Sequence, residues 1–452
     1  MTHVLLPALR GAPASPQQEK TARQQRARLA EMVAHARACS PYYRELYQGL
    51  PERVEDPTLL PVTHKKALVA RFEDWVADRD VTLDKVQRFI GNPALIGEKF
   101  LDKYVVATTS GTTGTPGIFV LDDRHVSLGM TAVRRAFGQW LSVWDWVRIL
   151  ARGMRTAALH ATGGHYASVG AVTRMQRSSR IAARQIRQFS VHTPLPQLVA
   201  ELNGFRPALL TGYATVTSLL AGEREAGRLR INPVLVVVTA EGLPQDEYGR
   251  MARVFGAKVG NVWGSTEMPA VAYSCAYGWL HVMEDWLIVE PVHADYRPTP
   301  AGEQSHTVLI SNLANRVQPI LRYDLGDRIL VRPDACPCGN PQPAVRIEGR
   351  SGDVLNFETP GGERVSLPPL ALELDDIPGI EVAQVVQTTP ASLRVRLLLV
   401  AGSDPDRVWQ AAHDALVRLL AEHKLEHVTI ERAEEPPEQS KGGKFRQVIP
   451  LS

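Results

Sequence analysis

Three cysteines and one histidine are spaced to hold a metal ion. Cys275 and His281 stand six positions apart, and Cys336-Pro337-Cys338-Gly339 follows in the same part of the chain. Three thiols and an imidazole complete a tetrahedral Zn2+ shell, and four protein ligands leave no open position, so such an ion would be structural. Of the four cysteines only Cys39 lies outside the set. Taken singly, each residue reads more plainly as a buried thiol or a core histidine. A second run, Thr108-Thr109-Ser110-Gly111-Thr112-Thr113-Gly114-Thr115-Pro116-Gly117, is built of small hydroxylated residues and glycine. Such residues let the backbone approach a polyphosphate and donate N–H and O–H groups to its oxygens. No Gly-Lys-Ser/Thr follows, so it is not a Walker loop.

Four charged residues can complement that loop. Glu267 follows a tight Gly turn at a strand end, where one carboxylate oxygen can hold a hard cation such as Mg2+, although alone it reads better as a helix N-terminal acid interacting with the dipole. Asp327, in Gly326-Asp327, can accept from both hydroxyls of a vicinal diol, although Gly-Asp alone more often marks a turn. Lys444, in a Gly-flanked tail, is a point charge able to reach an α-phosphate. Arg350 can contact phosphate or ribose, and otherwise makes a surface ion pair worth ~0–1 kcal/mol.

The elements that must position these groups alternate in type. Residues 17–49 read as helix, broken at Ser40-Pro41. Lys65–Phe72 is a further helical stretch after a Pro-rich crossing. From about residue 100, short strands alternate with helices. The strand-like segments are 147–150, 208–214, 233–243 and, running into a loop, 257–266; the helical ones are 194–205, 215–229 and 246–256. Segment 181–186 is ambiguous. Pro233–Leu243 carries a continuous apolar run, the mark of a strand covered on both faces of a parallel sheet. Residues from about 280 are richer in strand and suggest a small sheet or barrel-like lobe. After Arg350 a section of about 100 residues combines strands with a helix at 405–422. The expected fold is α/β: a large layered N-terminal domain over 1–349, with α/β lobes and a small β-rich lobe, and a smaller mobile α+β domain over 350–452.

The composition narrows the class. Apolar residues are 44% and charged residues 22% of the 452, and the net charge is +3, which gives no support for a nucleic-acid binder. No apolar run reaches the ~18–20 residues of a membrane span. The first twenty residues make a poor secretory signal, and the cysteine usage fits a reducing compartment, so the expected location is the cytoplasm.

Taken in order, the motifs resemble those of the adenylate-forming superfamily, which includes acyl- and aryl-CoA synthetases, and within it the phenylacetate-CoA ligase branch. The matching segments are Thr108–Gly117, Thr239-Ala240-Glu241-Gly242, Val262-Trp263-Gly264-Ser265-Thr266-Glu267, Tyr323-Asp324-Leu325-Gly326-Asp327, Gly349-Arg350-Ser351-Gly352-Asp353 and Ser440-Lys441-Gly442-Gly443-Lys444-Phe445-Arg446. The resemblance implies a mobile C-terminal domain hinged at Gly352 and Asp353. It implies that Ser110, Gly111, Thr112, Thr113 and Gly114 cradle phosphates, and that Ala240, Glu241, Trp263, Gly264 and Thr266 line the nucleotide. Glu267 would hold Mg2+, Asp327 the ribose, and Lys444 and Arg350 the reacting phosphate. His165, Tyr166, Tyr213, Trp263 and Met268 are the acyl-pocket candidates.

The implied activity uses ATP to convert a hydrophobic or aromatic carboxylic acid into an acyl-adenylate, then transfers the acyl group to coenzyme A. An amide synthetase or carrier-protein ligase would use the same adenylate, and a non-catalytic nucleotide-binding relative is a third reading. A homodimer is compatible with all three. The chain departs from the family pattern in carrying Thr115 where a lysine is usual. It also has Asp324-Leu325 in place of Arg-Thr, leaving Arg322 to supply the charge, and Gly352 where the hinge acid is expected.

Overall fold

A computed structural model of the chain describes residues 16–109, 117–240, 242, 245–350, 355–362, 364–367, 372, 374, 377–439 and 445–451. They form two units. The first takes the described residues up to Leu325 together with Ile329–Ile347; the second takes Gly326–Arg328 and the described residues from Glu348 on.

In the first unit β1 (Val105–Thr108) and β2 (Ile118–Leu121) make a hairpin. They are followed by β3 (Thr156–His160), β4 (Ile186–Ser190), β5 (Leu209–Tyr213), β6 (Leu235–Thr239), β7 (Lys258–Trp263), β8 (Ala272–Ser274), β9 (Leu280–Val282), β10 (Leu287–Val292), β11 (Thr307–Asn312) and β12 (Ile320–Asp324). Then come β13 (Asp327–Val331) and β14 (Ala344–Arg350). Nine of these join in one sheet, ordered β13-β14-β9-β8-β7-β6-β5-β3-β4. From β4 to β7 neighbours run parallel, which requires crossovers. Helices Leu195–Phe205, Ala214–Glu225 and Gln245–Phe255 supply three of them.

The apolar run in β6 is explained by burial on both faces. Val236 and Val238 pack with Leu210, Leu202, Met251 and Phe255 on one side, while Leu235 packs with Leu209, Trp140 and Ile149 on the other. Each such side chain contributes roughly 1.5–3 kcal/mol when fully removed from water.

One expectation is corrected. Residues 147–150 are not a strand but lie in helix Val143–Ala151. Ser142 and Asp145 form a capping box there, and Ile149 and Trp146, three apart, face the core. Capping and helical spacing outweigh the β-branched content. The β-rich region contains the expected small sheet, and its other strands join the large one. β8, β9, β13 and β14 extend the large sheet, antiparallel from β7 through β8 and β9 to β14. Only β10-β11-β12 stand apart as a three-stranded sheet. Segment 181–186 resolves into helix Arg180–Gln185 leading directly into β4.

The second unit holds the pair β15 (Leu355–Glu358) and β16 (Arg364–Leu367). It also holds a four-stranded sheet of β17 (Ile380–Thr389), β18 (Ser392–Leu399), β19 (Thr429–Arg432) and β20 (Val448–Ile449), ordered β19-β18-β17-β20. Helix Pro405–Glu422 lays Val408, Ala412, Leu416 and Leu420 on its core, a stripe at helical spacing. No helix among the described residues is long and apolar enough to cross a membrane.

Candidate functional site

The parallel strands end together. Tyr213 closes β5 opposite Thr239 of β6, and Thr239 lies opposite Val262 of β7, so the loops that follow share the carboxyl edge where open α/β sheets bind ligands. After β6, Ala240 takes φ +73°, a left-handed conformation costing a non-glycine residue of order 1–3 kcal/mol and typical of functional loops. After β7 the chain makes a tight turn. Ser265 N–H donates to Met268 O at 2.9 Å, and Val271 N–H donates to Trp263 O at 2.8 Å. At Gly264 a Cβ would lie 2.2 Å from Pro269 O, so no side chain fits.

The β1–β2 hairpin brings the two ends of the hydroxyl-rich run, Thr108–Thr109 and Gly117, beside the segment after β3. Thr108 N–H donates to His165 O at 2.8 Å, and Thr108 pairs with Tyr166 in the segment after β3. At the neck of the loop Thr109 N–H donates to Gly117 O at 3.0 Å, and Gly117 N–H donates to Thr109 Oγ1 at 2.7 Å. Lys65 Nζ also donates to that hydroxyl, at 3.1 Å. Gly117 leaves room for the lysine stem: a Cβ there would meet Lys65 Cε at 2.9 Å.

A seam of fully buried amides, Asn312, Asn315 and Gln318, ties the hairpin to the turn after β7. Val120 N–H donates to Gln318 Oε1 at 2.7 Å, Gln318 Nε2 to Ile118 O at 3.2 Å, and Asn315 Nδ2 to Val120 O at 2.9 Å. The side chains thus satisfy the free edge of β2 as another strand would. Asn312 Nδ2 donates to Glu267 O at 3.4 Å and to His125 Nδ1 at 2.9 Å. Burial holds the His125 ring neutral, its pKa pushed down to about 4. Nothing in the sequence marks these amides as buried; their spacing of three is their only trace.

Glu267 is itself buried, and its Oε1 accepts from the Tyr323 hydroxyl at 2.9 Å. Oε2 takes no hydrogen bond among the described residues. Thr266 and Gly264 flank it within the same turn, and Trp263 ends β7. Arg322 does not serve as a charge for the nucleotide. At φ +46° it turns its guanidinium to Glu290 (3.3 Å) and to the carbonyls of Leu60 (2.7 Å) and Thr58 (3.2 Å). Burial of Glu290 beside it pushes that carboxyl up to about 7. Asp327 opens β13 after Gly326.

The acyl-pocket candidates fall into groups. Trp263 and Met268 share one core cluster, Tyr213 and Tyr166 another. His165 is buried and turned to Asn92 O (3.2 Å) and the Phe89 ring. Ser110, Gly111, Thr112, Thr113, Gly114, Glu241, Gly352, Asp353 and Lys444, and the side chain of Arg350, lie outside the described residues.

The cysteine–histidine set converges. The Sγ atoms of Cys275, Cys336 and Cys338 and a ring nitrogen of His281 lie within 4.8 Å of one another. Cys275 and Cys336 are 3.7 Å apart at sulfur, far beyond the ~2.05 Å of a disulfide and near the ~3.8 Å edge of a tetrahedron with 2.3 Å Zn–S bonds. Cys338 Sγ and His281 Nε2 are 3.1 Å apart, and His281 Nδ1 is 3.0 Å from Gln342 O. That carbonyl fixes the tautomer and points the Nε2 lone pair at the thiols. Without a cation, burial pushes the Cys336 thiol up to about 12, so a metal is what would let these sulfurs ionise side by side. The donor set fits Zn2+.

No protein-family model matches the chain. A phenylacetate-coenzyme A ligase of Thermus thermophilus is 24% identical over an alignment of 473 residues, taking in 96% of this chain and 97% of the relative. Among solved structures, 2-hydroxyisobutyryl-CoA ligase in the postadenylation state with 2-HIB-AMP matches with a TM-score of 0.59 at 18% identity, over 97% of this chain and 90% of that one. A benzoate CoA ligase from Burkholderia xenovorans LB400 matches with a TM-score of 0.50 at 16% identity, over 75% and 67%. The mixed α/β fold is thus the one found in adenylate-forming CoA ligases.

Proposed function

We propose that the chain is an AMP-forming acid–CoA ligase that activates a hydrophobic or aromatic carboxylic acid. The observation that carries this is the amide seam. Within seven residues, Asn312 to Gln318 tie strand β2, which follows the hydroxyl-rich run, to the turn bearing Glu267, and this supports reading the run and the acid as parts of one nucleotide site. The full-length likeness to a phenylacetate-coenzyme A ligase supports the same reading.

On this reading the acid's carboxylate oxygen attacks the α-phosphorus of ATP. The bond to the bridging oxygen breaks, pyrophosphate leaves with the electron pair, and an acyl-adenylate remains. The thiol of coenzyme A then attacks the acyl carbon, loses its proton to solvent, and AMP departs. Loop residues 110–114 hold the leaving phosphates, Asp327 the ribose, and Trp263 with Ala240 and Glu241 the adenine. Mg2+ would supply charge neutralisation on the phosphates, and the hard oxygen of Glu267 suits it. The C-terminal domain, 350–452, brings Lys444 to the α-phosphate and turns about Gly352 and Asp353 between the two steps. Cys275, His281, Cys336 and Cys338 would hold a Zn2+ ion, which would cross-link β8, β9 and the loop before β14.

The test is acid-dependent exchange of pyrophosphate into ATP, followed by mass spectrometry of the product formed with coenzyme A. Exchange with an aromatic acid and its loss in Lys444→Ala are expected. ATP binding without exchange for any of a panel of aromatic, aliphatic and amino acids would remove the assignment.

A further inference from the structure

Glu267 lies in a turn whose backbone is already fixed. Ser265, Met268, Trp263 and Val271 close it through main-chain bonds, Gly264 packs against Pro269 with no space for a side chain, and Asn312 holds the Glu267 carbonyl. What the backbone does not fix is where the carboxylate points. That is settled by one donor among the described residues, the Tyr323 hydroxyl on Oε1 at 2.9 Å.

The donor is as rigid as the turn. Tyr323 is buried on β12, paired with Ile310 of β11 on one side. On the other it is bridged to Thr63, through Thr63 N–H to Arg322 O at 3.0 Å and Asp324 N–H to Thr63 O at 2.9 Å. A phenol ring anchored in this way presents its O–H at one place. Of the carboxylate's two oxygens it occupies Oε1, leaving Oε2 without a hydrogen bond among the described residues.

We propose that Tyr323 is a positioning residue for the nucleotide-bound divalent cation, aiming the Glu267 carboxylate so that Oε2 faces the metal. The proposal rests on the reading of Glu267 as the cation-holding acid. Tyr323 touches neither nucleotide nor metal in this scheme. Its hydroxyl removes the rotational freedom that a glutamate would otherwise lose on binding, the kind of support that ligating carboxylates need.

The test follows Mn2+ binding by electron paramagnetic resonance in the presence of a non-hydrolysable ATP analogue bridged by α,β-methylene. Tyr323→Phe keeps the ring and removes one charge-assisted hydrogen bond, so Mn2+ should bind about tenfold more weakly. Metal-free binding of the analogue should be unchanged, which also reports that the variant is folded. Glu267→Gln should weaken Mn2+ binding by itself, and adding Tyr323→Phe to it should cost nothing further. Normal Mn2+ binding in Tyr323→Phe, with a loss in Glu267→Gln, would overturn the positioning role while leaving Glu267 as the ligand. Equal losses from Tyr323→Phe in both backgrounds would likewise overturn it. Unchanged binding in Glu267→Gln would overturn the reading of Glu267 and the proposal with it.

Discussion

The ammonium of Lys65 and the hydroxyl of Thr109 are 3.1 Å apart, although 44 residues separate them in the chain. The same hydroxyl accepts from Gly117 N–H. A lysine from a short helix therefore stands at the neck of the loop.

Lys65→Met should raise the KM for ATP by roughly five- to tenfold in pyrophosphate exchange, the worth of one charged hydrogen bond, and leave the KM for the acid unchanged. Equal changes in both constants would show that the lysine acts on general stability instead.

Gln318→Leu removes both side-chain bonds to β2 and leaves Val120 N–H and Ile118 O without those partners. Each buried orphan costs about 1–3 kcal/mol. Chemical denaturation should show a loss of several kcal/mol, and a surface substitution such as Arg23→Gln should show none.

Elemental analysis should find about one zinc per chain. Cys336→Ser should lose the metal and lower Tm by several degrees, and a chelator should lower the wild-type Tm to the same value. A metal-free wild-type protein with an unaltered Tm would remove the site.

Acidity should reveal Glu290. Its folded pKa, about 7, lies above the ~4.3 of an unfolded glutamate. Between those values the folded state binds more protons, and stability falls as pH rises. His125 acts in the opposite sense, because its pKa is pushed down to about 4, below the ~6.5 of a free histidine, so its part is lost as pH falls. In Glu290→Gln the falling component disappears, and stability from pH 5 to 7 should climb more steeply than in the wild type. Parallel denaturation profiles for the two proteins would refute the role given to Glu290.

Legibility followed the range of the interactions. The alternation of strands and helices, and the apolar run in β6, were readable because period and burial are local patterns. The four metal-binding candidates were readable because their residue types are rare. Helix Val143–Ala151 was misread, since its Ser142–Asp145 cap and its contact with the core outweigh a strand-like composition. Arg322 was misassigned because its partner Glu290 lies 32 positions away and nothing local reveals a buried acid. Tyr323 and Glu267, 56 apart, meet only when β7 and β12 are in place. Asn312, Asn315 and Gln318 carry no local mark of burial, because polar side chains are usually solvated and their partners lie far away in the chain.

Those three amides also act as a ruler. Each is matched to a fixed carbonyl or amide on another segment, so their separation along the chain is itself a structural dimension. Inserting or deleting one residue between positions 312 and 318 would leave the composition nearly untouched yet slide every tooth past its notch. Most surface loops absorb such length changes; this one has no slack to give.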